Sequence, residues 1–228
     1  MIRLWLWAAI AVLLLGGIVG VASESGGGAT NTSGVHPPKP GTYNYTGTAP
    51  FSIRVEADGS GGGVTHQIIA IPTGSGLELR NHVAWTASGA RADRSDLQLG
   101  PLGSSGPAPS CQWKPATIEY AFPLSVGKRW TMDSTCTASF LGQSATLRRQ
   151  EEARVTARGR FDLGGTTVDT WTIERAITFS VALPDQRGGE DHSLSTEAFA
   201  PTVGLFVRRH IEGGAQAGDL TLVSLKPA

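Results

Sequence analysis

The sequence has few of the residues that build metal or thiol chemistry. Its 228 residues include two cysteines, two methionines and five histidines. The histidines are scattered, with no H-x-H or H-x-x-x-H pair, whereas zinc and copper need ligands that converge on one ion. We therefore predict no metal and no cofactor.

The chain also lacks an excess of charge. Nineteen basic residues balance nineteen acidic ones, and Arg3 precedes an apolar segment, so the rest carries 19 − 1 = 18 basic against 19 acidic residues, a net charge of −1. Such a balance provides no overall field that would attract nucleic acid or anionic lipid head groups. We expect no nucleic-acid partner.

Catalytic motifs are missing as well. Ser125 and Lys128 have the S-x-x-K spacing of penicillin-binding serine enzymes, but no SDN or KTG sequence follows and no G-x-S-x-G sequence is present. Glu151 and Glu152 are adjacent, and neighbouring strand residues point to opposite faces, so they cannot act together on one glycosidic bond. The sequence favours a non-enzymatic role, with an envelope hydrolase as an alternative.

The first 22 residues predict export. The segment from Leu4 to Ala22 has no charged residue, and as a helix it would span about 28 Å, close to the hydrocarbon thickness of a bilayer. Arg3 in front of it predicts a cytoplasmic amino terminus and an exported remainder. The length favours an uncleaved anchor, hence a single-pass protein of the cell membrane with its C-terminal domain outside. The small residues around Ala22 fit a cleaved signal peptide, which would give a secreted protein instead.

Two further regions follow this segment. Residues 23–40 contain Gly, Ser and Pro with almost no large apolar residue, which predicts a linker. Residues 41–228 form the expected extracytoplasmic domain. The whole chain, with 40% hydrophobic and 17% charged residues, has a composition typical of a folded protein.

The domain shows a period of two and no sustained helical period. The clearest example is residues 168–181, where apolar side chains at odd positions alternate with polar ones such as Thr172 and Glu174. Such alternation indicates an antiparallel strand with one buried face. With glycine-rich turns at 57–63, 164–165, 187–190 and 213–214, it predicts an all-β domain. We expect a single antiparallel, strongly curved sheet or barrel-like meander of about ten strands.

The odd face of this strand is the candidate ligand surface, formed by Trp171, Ile173, Arg175 and Phe179. Arg175 is the anomaly, because a buried guanidinium needs a partner. It either meets a carboxylate, marks a polar spot in a cavity, or lies where the face is open to solvent.

Cys111 and Cys136 are the two cysteines, both in the exported part. In an oxidising compartment an even pair most simply forms a disulfide, and two buried free thiols are the alternative. Cys111 lies in the segment 100–115, which has four prolines and predicts a long irregular loop.

Three segments resemble one known family. They are Pro123–Trp130 (PLSVGKRW), Val155–Asp162 (VTARGRFD) and Phe199–Leu205 (FAPTVGL) leading into Arg208. Their order resembles that of secreted bacterial β-rich proteins of the TapB-like type, over residues 120–212. The resemblance implies an exported β protein of largely unknown function and provides no active site.

These observations lead to one functional hypothesis. We expect an envelope module, attached to the membrane through its N-terminal segment, that binds an apolar or amphiphilic ligand or an envelope protein. The alternatives are a purely structural envelope protein and, less favoured, the hydrolase.

Overall fold

The domain is a closed antiparallel barrel of twelve strands. The computed structural model describes residues 35–48, 50–59, 63–70, 78–98, 109–140, 143–184, 186–214 and 217–228. Each strand pairs with its sequence neighbours, and β1 closes the ring against β12, which confirms the predicted barrel-like meander. The strands are β1 (Gly41–Gly47), β2 (Phe51–Ala57), β3 (Val64–Ala70), β4 (Glu78–Thr86), β5 (Gly89–Gln98), β6 (Ser110–Ala121), β7 (Arg129–Phe140), β8 (Gln143–Leu163), β9 (Thr166–Leu183), β10 (Gln186–Ala200), β11 (Leu205–Glu212) and β12 (Gly218–Leu222).

The predicted membrane segment, residues 1–22, lies outside the described residues, as does most of the expected linker. Among the residues that are described, no helix has the length and apolar character needed to cross a bilayer.

The alternating strand directions give the barrel two ends. We call the end where residues 35–40 lead into β1 the entry end, and the opposite one the far end. At the entry end, the backbone N–H of His36 donates to the carbonyl of Pro201 at 2.9 Å, and Val35 is buried in the core. Gly204 permits this contact for two reasons. Its φ of +74° is one that residues with a side chain rarely adopt, and an added Cβ would lie 2.4 Å from the His36 carbonyl oxygen. The last residues of the expected linker are therefore held against the barrel.

Most of the predicted turns are present, with one exception. Gly164 and Gly165 connect β8 to β9 with φ values of 59° and 81°, as a two-residue hairpin turn of type I′ requires. The turn predicted at 187–190 is wrong, since the hairpin joins Leu183 to Gln186 and residues 187–190 belong to β10. Gly188 serves close backbone approach at a register shift, where an added Cβ would lie 2.0 Å from the Val181 carbonyl oxygen.

The β8–β9 hairpin projects at the entry end. β7 pairs with β8 only as far as Arg154, and β10 pairs with β9 only as far as Trp171. A register shift after Val155 places Arg158 opposite Trp171, and residues 158–170 continue as a two-stranded ribbon. Its apolar side chains Phe161, Leu163 and Val168 are partly buried against the core.

Cys111 and Cys136 form a disulfide between β6 and β7, as predicted, with their Cα atoms 5.5 Å apart. The expected loop 100–115 is wrong in its last part, because Ser110–Pro115 begins β6. Cys111 and Trp113 alternate inward in this stretch, and that local period of two outweighs the single Pro115.

Candidate functional site

The barrel interior contains six buried charged residues, which we call the charge chain. Each projects inward from a strand on one side of the barrel, and each is at most 3% exposed. Acidic and basic members alternate, so the chain is formally neutral. Its members are Glu119 on β6, Arg149 and Glu151 on β8, Arg175 on β9, Glu197 on β10 and Arg209 on β11.

The first half of the chain crosses from β6 to β9. Arg149 donates through Nη1 to Glu119 and through Nη2 to Glu151, each at 2.5 Å. Arg175 donates through Nη1 to the other carboxylate oxygen of Glu151. Because adjacent residues share carboxylates and guanidinium groups, buried charges that would be costly alone are satisfied together.

The second half continues to β11. Arg175 donates to Oε1 of Glu197 through Nε at 3.1 Å and Nη2 at 2.9 Å, and its Nη2 also donates to the backbone carbonyl of Glu119 at 2.6 Å. Arg209 donates to Oε2 of Glu197 through Nε at 2.9 Å and also through Nη2. Glu197 is therefore held by two guanidinium groups.

Aromatic rings surround this polar core. The guanidinium carbon of Arg175 lies 5.0 Å from the ring centre of Tyr120 and 5.6 Å from that of Trp130. Arg209 lies 4.2 Å from the ring centre of Phe206. These cation–π contacts fix the arginine planes in addition to the ion pairs.

The two ends of the chain differ in their electrostatics. Burial alone would raise the pKa of Glu197, but the attraction and hydrogen bonds of Arg175 and Arg209 outweigh it and lower the pKa to about 2. Burial raises the pKa of Glu119, which pairs with Arg149, and the nearby negative charge of Glu151 adds to the increase.

These opposite shifts predict an acid limb in the stability profile. A carboxyl pKa that falls from about 4.3 in the unfolded chain to about 2 contributes about 3 kcal/mol, present above pH ~4.3 and lost as the pH falls towards 2. The contribution of Glu119 to the pH dependence has the opposite sign. Because its pKa is raised, the folded state binds this proton at a higher pH than the unfolded chain does, which favours the folded state as the pH falls. In urea titrations across this pH range, the stability difference between wild type and Glu197→Gln should shrink by about 3 kcal/mol. A constant difference would contradict the lowered pKa.

The four residues of the predicted ligand surface separate into two environments. Ile173, Arg175 and Phe179 lie inside the barrel, each at most 5% exposed, and Phe179 meets Trp113 edge-on with ring centres 6.5 Å apart. Trp171 is half-buried at the entry end, where the guanidinium of Arg158 lies 5.6 Å from its ring centre. Whether any of them binds a ligand stays a prediction.

Sequence reasoning missed five members of the charge chain. On β8, the period of two places Leu147, Ala153, Val155 and Ala157 on the apolar face, and the same period does not by itself predict burial of Arg149 and Glu151. Ala157 is exposed, because the register shifts after Val155. Arg149 and Glu151 are in phase with Leu147 and Ala153 under the period of two. Charged residues at positions that the period assigns to a buried face were therefore the feature of the sequence that could have identified them.

The chemistry open to the interior is limited. A cavity of about 10 Å³ lies beside Gln67, Glu119 and Tyr120, roughly the room of one water molecule. Among the described residues, no group of three or more His, Cys, Asp or Glu side chains is placed to hold a metal ion.

A larger space lies on the outer wall. A groove of about 540 Å³ runs across β7 to β11, floored by the backbone around Trp130, Ala153, Arg175 and Ser195. Outward side chains flank the groove in two rows set by the strand register. One row includes Arg129, Arg154 and His210, and the other includes Glu152, Leu194 and Glu212.

Comparisons with known proteins find distant structural matches, including two bacterial proteins. No family model matches the chain, and no curated protein matches it. The hypothetical lipoprotein YmcC from Escherichia coli K12 is 12% identical with a TM-score of 0.39, covering 87% of this chain and 91% of that chain. A protein with a YmcC-like fold from Bacteroides fragilis is 8% identical with a TM-score of 0.34, covering 83% and 97%. Similarity at this level carries no argument about function, and the resemblance to TapB-like proteins stays a prediction.

Proposed function

We propose that this chain is a non-enzymatic module of the bacterial envelope that binds an extended segment of a partner protein in its outer groove. The observation that carries the proposal is the contrast between the two spaces of the barrel. The interior is occupied by buried aromatic side chains and the charge chain, whereas the groove is open and has the volume of an ordinary ligand site.

The size of the groove suits a short peptide. From β7 to β11 it crosses four strand spacings, about 19 Å, which six extended residues would span. The charge distribution gives this occupant a direction. At the β7–β8 end, Arg129 and Arg154 outnumber Glu152. Glu174 on β9 and Glu212 on β11, next to His210, make the rest of the groove more acidic. Leu194 lies between the two ends with 55% of its surface exposed. A segment with an acidic end, an aliphatic centre and a basic end complements these groups.

The interior argues against the apolar-ligand form of the hypothesis. An apolar molecule placed inside would have to displace Arg175 or its partners and leave buried charges unpaired, which costs several kcal/mol. The filled interior also favours the structural alternative, in which the barrel acts only as a rigid spacer.

A peptide titration separates these hypotheses. We expect a synthetic peptide Asp-Ala-Leu-Val-Ala-Lys with blocked ends to shift the amide resonances of β8 to β10 that floor the groove. Leu194→Asp should abolish the shifts, since it places a carboxylate at the aliphatic centre. Val126→Asp, which adds the same charge at a residue 61% exposed outside the groove, is the matched control and should leave them unchanged. If the peptide shifts no amide resonances of the groove, or if it still binds to Leu194→Asp, the binding proposal is wrong. The structural alternative, a rigid spacer, would then be favoured.

A further inference from the structure

The two ends of the barrel differ in charge, although the chain as a whole is balanced. Counting the connections, the hairpin and the two outermost residues of each strand, the entry end has six basic and four acidic residues, a difference of +2 among the described residues. By the same count the far end has three acidic residues and one basic residue, a difference of −2. The entry-end residues are Lys39, Lys128, Arg129, Arg158, Arg160 and Lys226 with Glu56, Asp58, Asp162 and Asp169, and the far-end residues are Glu78, Glu212 and Asp219 with Arg187.

Exposed apolar side chains are concentrated at the same end. Val126, on the β6–β7 connection, is 61% exposed, and Val223, directly after β12, is 55% exposed. Trp171 lies half-buried beneath Arg158. Aliphatic, indole and basic groups on one surface are the combination found at the head-group level of a bilayer.

The course of the chain directs this end towards a membrane. Val35 is fixed at the entry end, and residues 23–34 are the twelve that separate it from the apolar segment ending at Ala22. Twelve residues reach at most about 40 Å, even when fully extended. An apolar segment embedded in a bilayer would therefore keep the entry end close to the lipid head groups.

We propose that the entry end docks directly on a bilayer containing anionic phospholipids, with Val126 and Val223 at the head-group level and the basic side chains on the lipid phosphates. This inference rests on the proposed envelope function for the presence of a bilayer. It also revises the expectation drawn from net charge, because a balanced total hides an uneven distribution. Docking through one end would orient the barrel axis along the membrane normal, pointing away from the bilayer, so that the groove on the outer wall stays exposed to the aqueous phase.

Fluorescence quenching in vesicles tests the orientation. The full-length chain, with an environment-sensitive label on Val126→Cys or on Ser139→Cys at the far end, is inserted into vesicles with quencher-labelled lipids. The native cysteines are joined in the disulfide, so each variant offers one thiol. One set of vesicles is phosphatidylcholine alone, and the other has roughly a third of phosphatidylglycerol, which supplies the negative surface potential. We expect strong quenching at position 126 in the anionic vesicles only, and none at position 139 in either set.

Charge variants test the electrostatic part. Lys226→Gln, at an exposed entry-end residue outside the groove, should lower the ratio of docked to undocked protein about five-fold, the factor expected for one basic residue at an anionic surface. Arg94→Gln removes an exposed guanidinium from the barrel wall near the far end and should change nothing.

Three outcomes would overturn the inference: equal quenching at both labels, equal quenching in anionic and neutral vesicles, or a Lys226→Gln protein that docks as wild type does. Each would show that the entry end makes no specific contact with an anionic lipid surface. If the groove binds no peptide, the proposed binding function is wrong, but the quenching results in vesicles are unaffected. The two failures are therefore distinguishable.

Discussion

Arg175→Ala is expected to destabilise the barrel by about 3–5 kcal/mol, the cost of removing one partner from a buried ion pair. Arg175 lies at the centre of the charge chain and is the residue that connects Glu151 to Glu197. Without it, each carboxylate keeps one arginine, but three buried carboxylates then face only two guanidinium groups. Urea unfolding followed by tryptophan fluorescence measures the loss as a lower midpoint at a similar slope.

A matched control is available on the outer wall. Arg148 also donates through Nε and Nη2 to both oxygens of one carboxylate, that of Asp133, but both side chains are 48% exposed. Exposed pairs contribute little because water screens them and holding two long side chains costs entropy. Arg148→Ala should therefore leave the midpoint almost unchanged, and similar losses in the two variants would mean that the interior is hydrated.

A second variant separates charge imbalance from lost packing. Arg175→Ala combined with Glu151→Gln restores a neutral interior in which Glu119 keeps Arg149 and Glu197 keeps Arg209. Part of the stability should return if the unpaired carboxylate is the main cost. A double variant no better than the single one would assign the loss to the contacts of Arg175 with Tyr120 and Trp130.

The sequence predicts the fold better than the site because the two depend on different information. The inward direction of Ile173 and Phe179 follows from the strand period alone, and a one-residue slip would exchange the two faces of β9. The partners of Arg175 do not follow from that period, since Glu151 and Glu197 lie on neighbouring strands and meet it only through the register. An arginine on an apolar face indicates a partner without identifying it.

The end of β9 shows a second limit. The uniform alternation from Trp171 to Phe179 predicts one environment for both aromatic residues, but pairing with β10 stops at Trp171. Where neighbouring strands end, a residue in phase with the core is no longer enclosed by it. The half-buried position of Trp171 thus depends on strand lengths, which the local pattern does not contain.

Phe179→Ala and Trp171→Ala use this difference as a test. Phe179 is 5% exposed and packs against Trp113, so its truncation should cost about 3–5 kcal/mol, the usual range for a buried aromatic residue. Trp171 removes only part of its surface from water, and its truncation should cost about 1–2 kcal/mol. Thr172→Ala, next to Trp171 on the opposite face of β9, is the control and should cost little.

The vesicle experiment then assigns a role to Trp171. If its indole ring contributes to docking at the entry end, Trp171→Ala should lower the docked fraction in anionic vesicles while the protein remains folded. Phe179→Ala, measured at a temperature where it is still folded, should dock as wild type does, because its ring lies in the interior away from that end. Equal stability losses for the two variants, with unchanged docking, would instead make Trp171 an ordinary core residue and confine the membrane contact to the valines and basic side chains.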